Sequence, residues 1–174
     1  VNIFEDLVEE VARLYDYNKI PSKPPLIGIE PAREEVTLKI KDKIRSFLTG
    51  AGFSEVYNYS FSPKGKENSY ELENPIASDK SFLREELKGG LQDGLRDNSR
   101  FFNTIRIFEI GKVFNKKTQE ELHLGIALRI KEDSFLELKG AVEHLLQQLG
   151  VVDLFFRPKD GGLIIESDEE ILGE

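Results

Sequence analysis

Apolar residues recur along this chain with two different periods, and the alternation between them predicts its elements. Leu7, Val8, Val11, Leu14 and Tyr15 fall three and four apart, the spacing that lines up one face of a helix, so a helix is expected over residues 5–15. It must stop before Pro21, because proline disfavours helical backbone at the residue preceding it. Pro21–Pro25 (PSKPP) then reads as an extended linker. A module boundary is expected there, dividing the chain into residues 1–25, the end of a preceding module, and 26–174. A second helix is expected over 33–50. Val36, Ile40, Ile44, Phe47, Leu48 and Ala51 share one stripe, and Gly50 and Gly52 end it.

From Gly52 the period changes. GFSEVYNYSF (Gly52–Phe61) is rich in aromatics and reads as a strand. A polar loop follows, then an extended piece at Tyr70–Glu73 and a turn at Asn74-Pro75. The helical period returns over Ser81–Asn98, where Leu83, Leu87, Leu91 and Leu95 step by four. Residues 104–114 and 122–130 alternate as two antiparallel strands joined by the polar turn NKKTQEE. Phe135–Leu149 is an amphipathic helix ended by Gly150, and the tail offers strands near 152–156, 162–166 and 170–172. Strands joined by hairpin-length turns, with helices between them, predict an α+β fold: a mainly antiparallel sheet flanked by helices.

Composition narrows the function classes. At 174 residues the chain can bury a real core. It has no apolar run long enough for a transmembrane helix, and its acidic start (Glu5, Asp6, Glu9, Glu10) is not a signal peptide, so no membrane partner is expected. The absence of cysteine excludes disulfides, thiolate metal sites and a cysteine nucleophile; a reducing cytoplasm is the expected compartment. A net charge of −8 argues against this chain alone holding a polyphosphate backbone, which needs clustered Lys and Arg. Lys39, Lys41, Lys43 and Arg45 are accordingly read as a solvated helix face. The chain has no methionine, not even an initiator, and is expected to be cut from a longer protein.

Candidate chemistry is sparse. Arg84-Glu85-Glu86 is expected in the first turn of a helix as a solvated face, where acids are favoured by the helix dipole. His123 and His144 stand far apart with no triad partners, so surface or satisfied core positions are expected. There is no glycine-rich phosphate loop. Asp6, Glu9 and Glu10 are different. Positions i, i+3 and i+4 share a helix face, adjacent carboxylates repel, and a hard cation with oxygen ligands would relieve that. A solvated acidic face is the commoner outcome, so the residues alone leave both readings open.

Four segments in order carry a resemblance. DLVEEVARLYDYNKIP (Asp6–Pro21), NPIASDKSFLREELKGGLQDGLRDN (Asn74–Asn98), IRIFEIGKVF (Ile105–Phe114) and LKGAVEHLLQQLG (Leu138–Gly150) resemble successive parts of the phenylalanyl-tRNA synthetase beta subunit. The match weakens after Leu154, as in a core truncated at its C-terminus. The resemblance implies a core similar to the class II aminoacyl-tRNA synthetase catalytic fold, whose three motifs can be sought here. Helix 33–50 with GFSEVYNYSF fits the first, although Tyr59 stands where a proline is expected. IRIFEIGKVF fits the start of the second, but Phe114 is followed by Asn115-Lys116-Lys117 where the family pattern continues Phe-Arg-x-Glu. The third, a glycine-rich strand and helix ending in arginine, is missing; Gly161-Gly162 leads to none. Adenylation needs arginine's planar, permanently charged fork on the triphosphate, and a neutral amide at Asn115 cannot replace it.

The resemblance therefore implies a non-catalytic core with no catalytic or nucleotide-binding residues of its own. Its partner would be the catalytic alpha subunit, in a heterotetramer that charges tRNA with phenylalanine using ATP and Mg²⁺. Transfer RNA would be met through the whole complex, and the isolated chain would self-associate. In the family this first helix supplies Mg²⁺ ligands, and Asp6, Glu9 and Glu10 match the last three of four; the first would precede Val1. Two other readings stand beside this one: an active class II ligase with degenerate motifs, and a stand-alone interaction module.

Overall fold

The computed structural model describes residues 3–28, 30, 35–117, 119–131, 134–151, 153–159, 162–167 and 170–173. Arg33 and Glu34 in the expected second helix, Thr118 in the expected turn, Val152 in the tail and Gly161 of the sought third motif lie outside the described residues. The chain divides into two compact units, Val1–Arg33 and Glu34–Glu174.

The first unit holds α1 (Phe4–Tyr15) and a single 3-10 turn, Tyr17–Lys19. Asp16 ends α1 at φ 81°, a left-handed position that aspartate tolerates because its carboxylate bonds locally; here it accepts from the Asn18 N–H at 3.0 Å.

The second unit is built on a hairpin. β4 (Ile105–Asn115) and β5 (Gln119–Arg129) pair antiparallel from Ile105↔Arg129 to Asn115↔Gln119 without a slip. Every residue of β4 from Ile107 to Gly111 is buried, so the strand is covered on both faces. The period-2 rule sorts its side chains. On the odd face Ile105, Ile107 and Val113 pack with Leu87 and Leu91 at α3 (Lys88–Asn98). On the even face Phe108 and Ile110 pack with Ile44 and Leu48 of α2 (Val36–Gly50) and Leu145 of α4 (Ser134–Gln148). The sheet is thus the middle of three layers, with one helix against one face and two against the other. Both α2 and α4 close on a left-handed glycine, Gly52 (φ 84°) and Gly150 (φ 88°). In each case the next N–H reaches back five residues, Phe53 to the Leu48 carbonyl and Val151 to the Leu146 carbonyl, both at 2.9 Å. That geometry needs a residue without a Cβ penalty at positive φ.

Four expectations are corrected. The stretch 52–61 is not one strand. It gives β1 (Ser54–Glu55), which pairs parallel to β4, and β2 (Phe61–Ser62), with irregular backbone between. The helix expected from Ser81 starts only at Lys88. Phe82–Leu83 instead forms β3, antiparallel to β2, because the Leu83 and Arg84 amides are taken by the Tyr70 and Ser60 carbonyls at 2.9 Å each. The leucine series is divided accordingly: Leu83 lies in a strand, Leu87 at the cap, and only Leu91 and Leu95 in α3. β5 begins three residues earlier than its alternation suggested. Finally, α2 buries only Ile44 and Leu48; Val36 and Ile40 on the same stripe are exposed. The tail forms a separate antiparallel sheet, β6 (Leu154–Lys159), β7 (Gly162–Ser167) and β8 (Glu170–Gly173), in that order. Lys139 of α4 lies over the Phe156 ring of β6 at 4.5 Å.

Candidate functional site

The end of β4 is where the resemblance places phosphate chemistry. Asn115 is half-buried and already engaged: its side-chain oxygen accepts the Lys117 N–H at 2.8 Å, closing the turn that follows. The Lys116 N–H donates to the Asn68 carbonyl at 3.0 Å. Beside this turn lies a hollow of about 300 Å³ lined by Tyr70, Leu83, Phe114 and Glu120. Glu120 pairs with Lys112 at 2.6 Å. The lining is apolar with an acid that neutralises the adjacent cation, which is the wrong environment for a triphosphate.

Behind the hollow is a polar cluster that sequence reasoning missed. Arg84, expected on a solvated helix turn, is buried in an ion pair with Glu109 of β4, Nη1 to Oε1 at 2.7 Å. Asn58 donates its side-chain amide to the other Glu109 oxygen at 2.7 Å. The Arg84 Nε donates to the Lys112 carbonyl at 2.9 Å, and the Phe114 N–H returns a bond to the Arg84 carbonyl at 2.9 Å. Gly111 makes the room. A Cβ there would overlap the guanidinium and stand 3.0 Å from Glu109 Oε1 and 3.1 Å from Leu87 Cδ2. Glu85, the next residue, accepts from the buried Ser69 hydroxyl, while exposed Glu86 meets Lys66 at 3.2 Å. The expectation that Arg84-Glu85-Glu86 forms a solvated first turn is therefore overturned for its first two members. The extended backbone drawn between β2 and β4 turns their side chains inward. The main signal in sequence was an acid, Glu109, inside the run Ile107–Gly111.

This cluster is satisfied internally. Both carboxylate oxygens of Glu109 are bonded, and among the described residues no buried side-chain nitrogen or oxygen lacks a partner. It holds the β2–β3 segment to β4; it does not present a charge to a ligand.

The remaining candidates are placed as follows. Arg45 of α2 reaches Glu55 of β1 with Nε 3.0 Å from each oxygen, and that bond raises the guanidinium's pKa above its usual value. His123 is exposed beside Glu121 at 3.0 Å, and His144 stacks on Phe47 at 5.2 Å between centroids. Asp6, Glu9 and Glu10 lie on α1. Asp6 accepts the Ile3 N–H at 3.4 Å and Glu10 pairs with Arg13 at 2.5 Å. Among the described residues no three acids or histidines are gathered as a metal site.

A solved pyrrolysyl-tRNA synthetase from Desulfitobacterium hafniense superposes with a TM-score of 0.67 at 20% identity, covering 79% of this chain and 57% of that one. A second structure of the enzyme gives 0.65. The fold is that of a class II synthetase. The "Phenylalanine--tRNA ligase beta subunit" of Fusobacterium nucleatum is 33% identical over 172 residues, and that of Chromobacterium violaceum 34% over 171; they cover 84% and 86% of this chain. The chain spans only 22% of the length of each. A family model described as the phenylalanyl tRNA synthetase beta chain CLM domain matches residues 20–165, and the chain belongs to that family.

Proposed function

We propose that the chain is a non-catalytic core of a phenylalanine–tRNA ligase beta subunit, whose task is to dock on a catalytic alpha subunit. The observation that carries this is Asn115: the position where the family pattern wants a phosphate-gripping arginine holds a neutral amide spent on its own turn. The nearest buried guanidinium, Arg84, is neutralised by Glu109. A docking role is supported by what α2 leaves uncovered. Val36, Leu38 and Ile40 are exposed on a helix that buries only Ile44 and Leu48, both in its C-terminal half, and obligate interfaces are more apolar than ordinary surface.

In this reading the intact heterotetramer, in the cytoplasm, joins phenylalanine to tRNA with ATP. Transfer RNA is met through the complex, and Mg²⁺ belongs to the whole enzyme. A Mg²⁺ site involving Asp6, Glu9 and Glu10 needs Asp6 to leave its cap, Glu10 to leave Arg13, and further oxygen ligands to be supplied.

Two measurements test the reading. The purified chain should show no phenylalanine-dependent ATP–pyrophosphate exchange; robust exchange would establish a ligase with degenerate motifs. Co-expressed with the alpha subunit of its own organism, the chain should co-purify with it, and Ile40→Glu should abolish that. Failure of the unaltered chain to bind any alpha subunit would leave a stand-alone interaction module as the better account.

A further inference from the structure

The cluster around Glu109 has the form of a binding site whose ligand is part of the same chain. Three acceptors converge on two nitrogens of the Arg84 guanidinium. Glu109 Oε1 accepts from Nη1 at 2.7 Å, the Asn58 carbonyl from the same nitrogen at 3.4 Å, and the Lys112 carbonyl from Nε at 2.9 Å. Nε and Nη1 are held in one plane by delocalisation, so a single rigid group meets all three acceptors. An ammonium offers one nitrogen where this site uses two.

The receptor half does not depend on its ligand. Asn58 holds Glu109 independently, its side-chain amide donating to Oε2 at 2.7 Å and its backbone N–H to Oε1 at 3.4 Å. Lys112 is fixed in the β4–β5 ladder, and the bond from the Phe114 N–H holds the Arg84 backbone, not its side chain. Cutting back the Arg84 side chain therefore leaves the acceptors in place, and a pre-formed site loses little affinity to ordering. Shape adds to charge. A Cβ on residue 111 would overlap Nη2, so glycine there opens the space that the flat group occupies. Burial supplies the driving force. The Glu109 side chain is 3% exposed and is stranded as a charge without a cation, whereas Arg84 keeps 10%, an opening by which a small cation can enter.

We infer that Glu109, Asn58, Lys112 and Gly111 form a guanidinium-selective site, filled in the native chain by Arg84 and open to a free alkylguanidinium once that side chain is cut back. The groups that make it all lie within this chain, so it is independent of docking to an alpha subunit.

Arg84→Ala in the whole chain tests it, with ethylguanidinium, the portion of the side chain removed, as the probe. Urea titration followed by circular dichroism reads the folding equilibrium at each ligand concentration. At about 10 mM ligand and a Kd of about 1 mM, the folded-to-unfolded ratio should rise about tenfold. Propylammonium, the matching portion of lysine, should change it by less than about twofold, and the unaltered chain, its site filled, should respond to neither. Adding Gly111→Ala to Arg84→Ala closes the space and should remove the response; adding Glu109→Gln should remove it by taking away the charge. An equal response to both cations, an equal response by the unaltered chain, a response that survives either addition, or none from a folded Arg84→Ala overturns the proposal. If Arg84→Ala is unfolded without ligand, folding with ethylguanidinium but not with propylammonium supports it. If the variant is unfolded throughout, Arg84→Lys decides: a folding equilibrium about tenfold below that of the unaltered chain supports the selectivity, and an equal one overturns it.

Discussion

Removing the Arg84 guanidinium should be among the most damaging single changes available to this fold. The pair is almost dry, with side-chain exposures of 10% for Arg84 and 3% for Glu109. Deleting one partner leaves the other as an uncompensated buried charge, which costs about 3–5 kcal/mol. In Arg84→Met, the two bonds from Asn58 still reach Glu109, at 2.7 Å from the side chain and 3.4 Å from the backbone, so the lower half of that range is expected. The Lys112 carbonyl loses a donor as well. A domain has about 5–15 kcal/mol in total, so the variant should sit near the edge of folding. Arg45–Glu55 is the internal control. Its arginine is 35% exposed, and pairs so placed contribute about 1 kcal/mol or less. Urea titration followed by circular dichroism measures both, with the slope held constant to show that the native state is the same. Arg84→Met together with Glu109→Leu should recover much of the loss, because an apolar replacement of both partners removes the stranded charge. If Arg84→Met and Arg45→Met shift the midpoint equally, the pair is not what pins β2–β3 to β4.

Three further outcomes follow from the packing. Gly125→Ala brings a Cβ to 2.6 Å from Leu91 Cδ1 and 3.2 Å from Leu87 Cβ and should cost about 1–3 kcal/mol, whereas Gly140→Ala in α4 meets nothing within 4 Å and should stabilise by about 0.5–1 kcal/mol; thermal melts separate the two signs. Leu48→Ala, at a fully buried position, should cost about 2–5 kcal/mol, and Val36→Ala on the same helix, 68% exposed, within about 0.5 kcal/mol by urea unfolding. Asn115→Arg should leave pyrophosphate exchange at background, because one guanidinium beside the Glu120–Lys112 pair supplies neither the second arginine nor a polar cradle.

The elements that the sequence showed plainly are those whose own side chains decide them. α1, α4 and β4 came out close to their expected limits because each carries a full period of apolar residues and an obvious stop. The α+β class followed from them. The elements that were misread are those decided by bonds to distant backbone. Leu83, Leu87, Leu91 and Leu95 keep helical spacing, yet Leu83 is extended because the Tyr70 carbonyl takes its N–H. Periodicity records which side chains face the core, and a strand feeding a helix can present leucines to one core without sharing its geometry. β1 is two residues long and parallel, a pairing that no local pattern announces.

The polar cluster was harder to see for a related reason. Hydrophobic patterning finds a core by contrast with polar residues, and it assigns every charge to solvent unless something contradicts that. Arg84 lies in Leu-Arg-Glu-Glu, which reads as a helix start, and nothing nearby in sequence pairs with it; its partners are Asn58 and Glu109, each about 25 residues away along the chain. Glu109 was the better clue. In Ile-Phe-Glu-Ile-Gly the acid sits in a stretch that is buried on both faces of the strand, so it has no solvent to turn to and must find a donor. A carboxylate in that position predicts a buried arginine, lysine or amide somewhere in the fold, and Gly111, two residues on and on the same face, predicts that the partner is large. Together they identify the odd face of β4 as the place where Arg84 enters. They also show why the cluster gives no chemistry: the space Gly111 leaves is filled by the guanidinium, so neither the acid nor the base faces the hollow at Phe114.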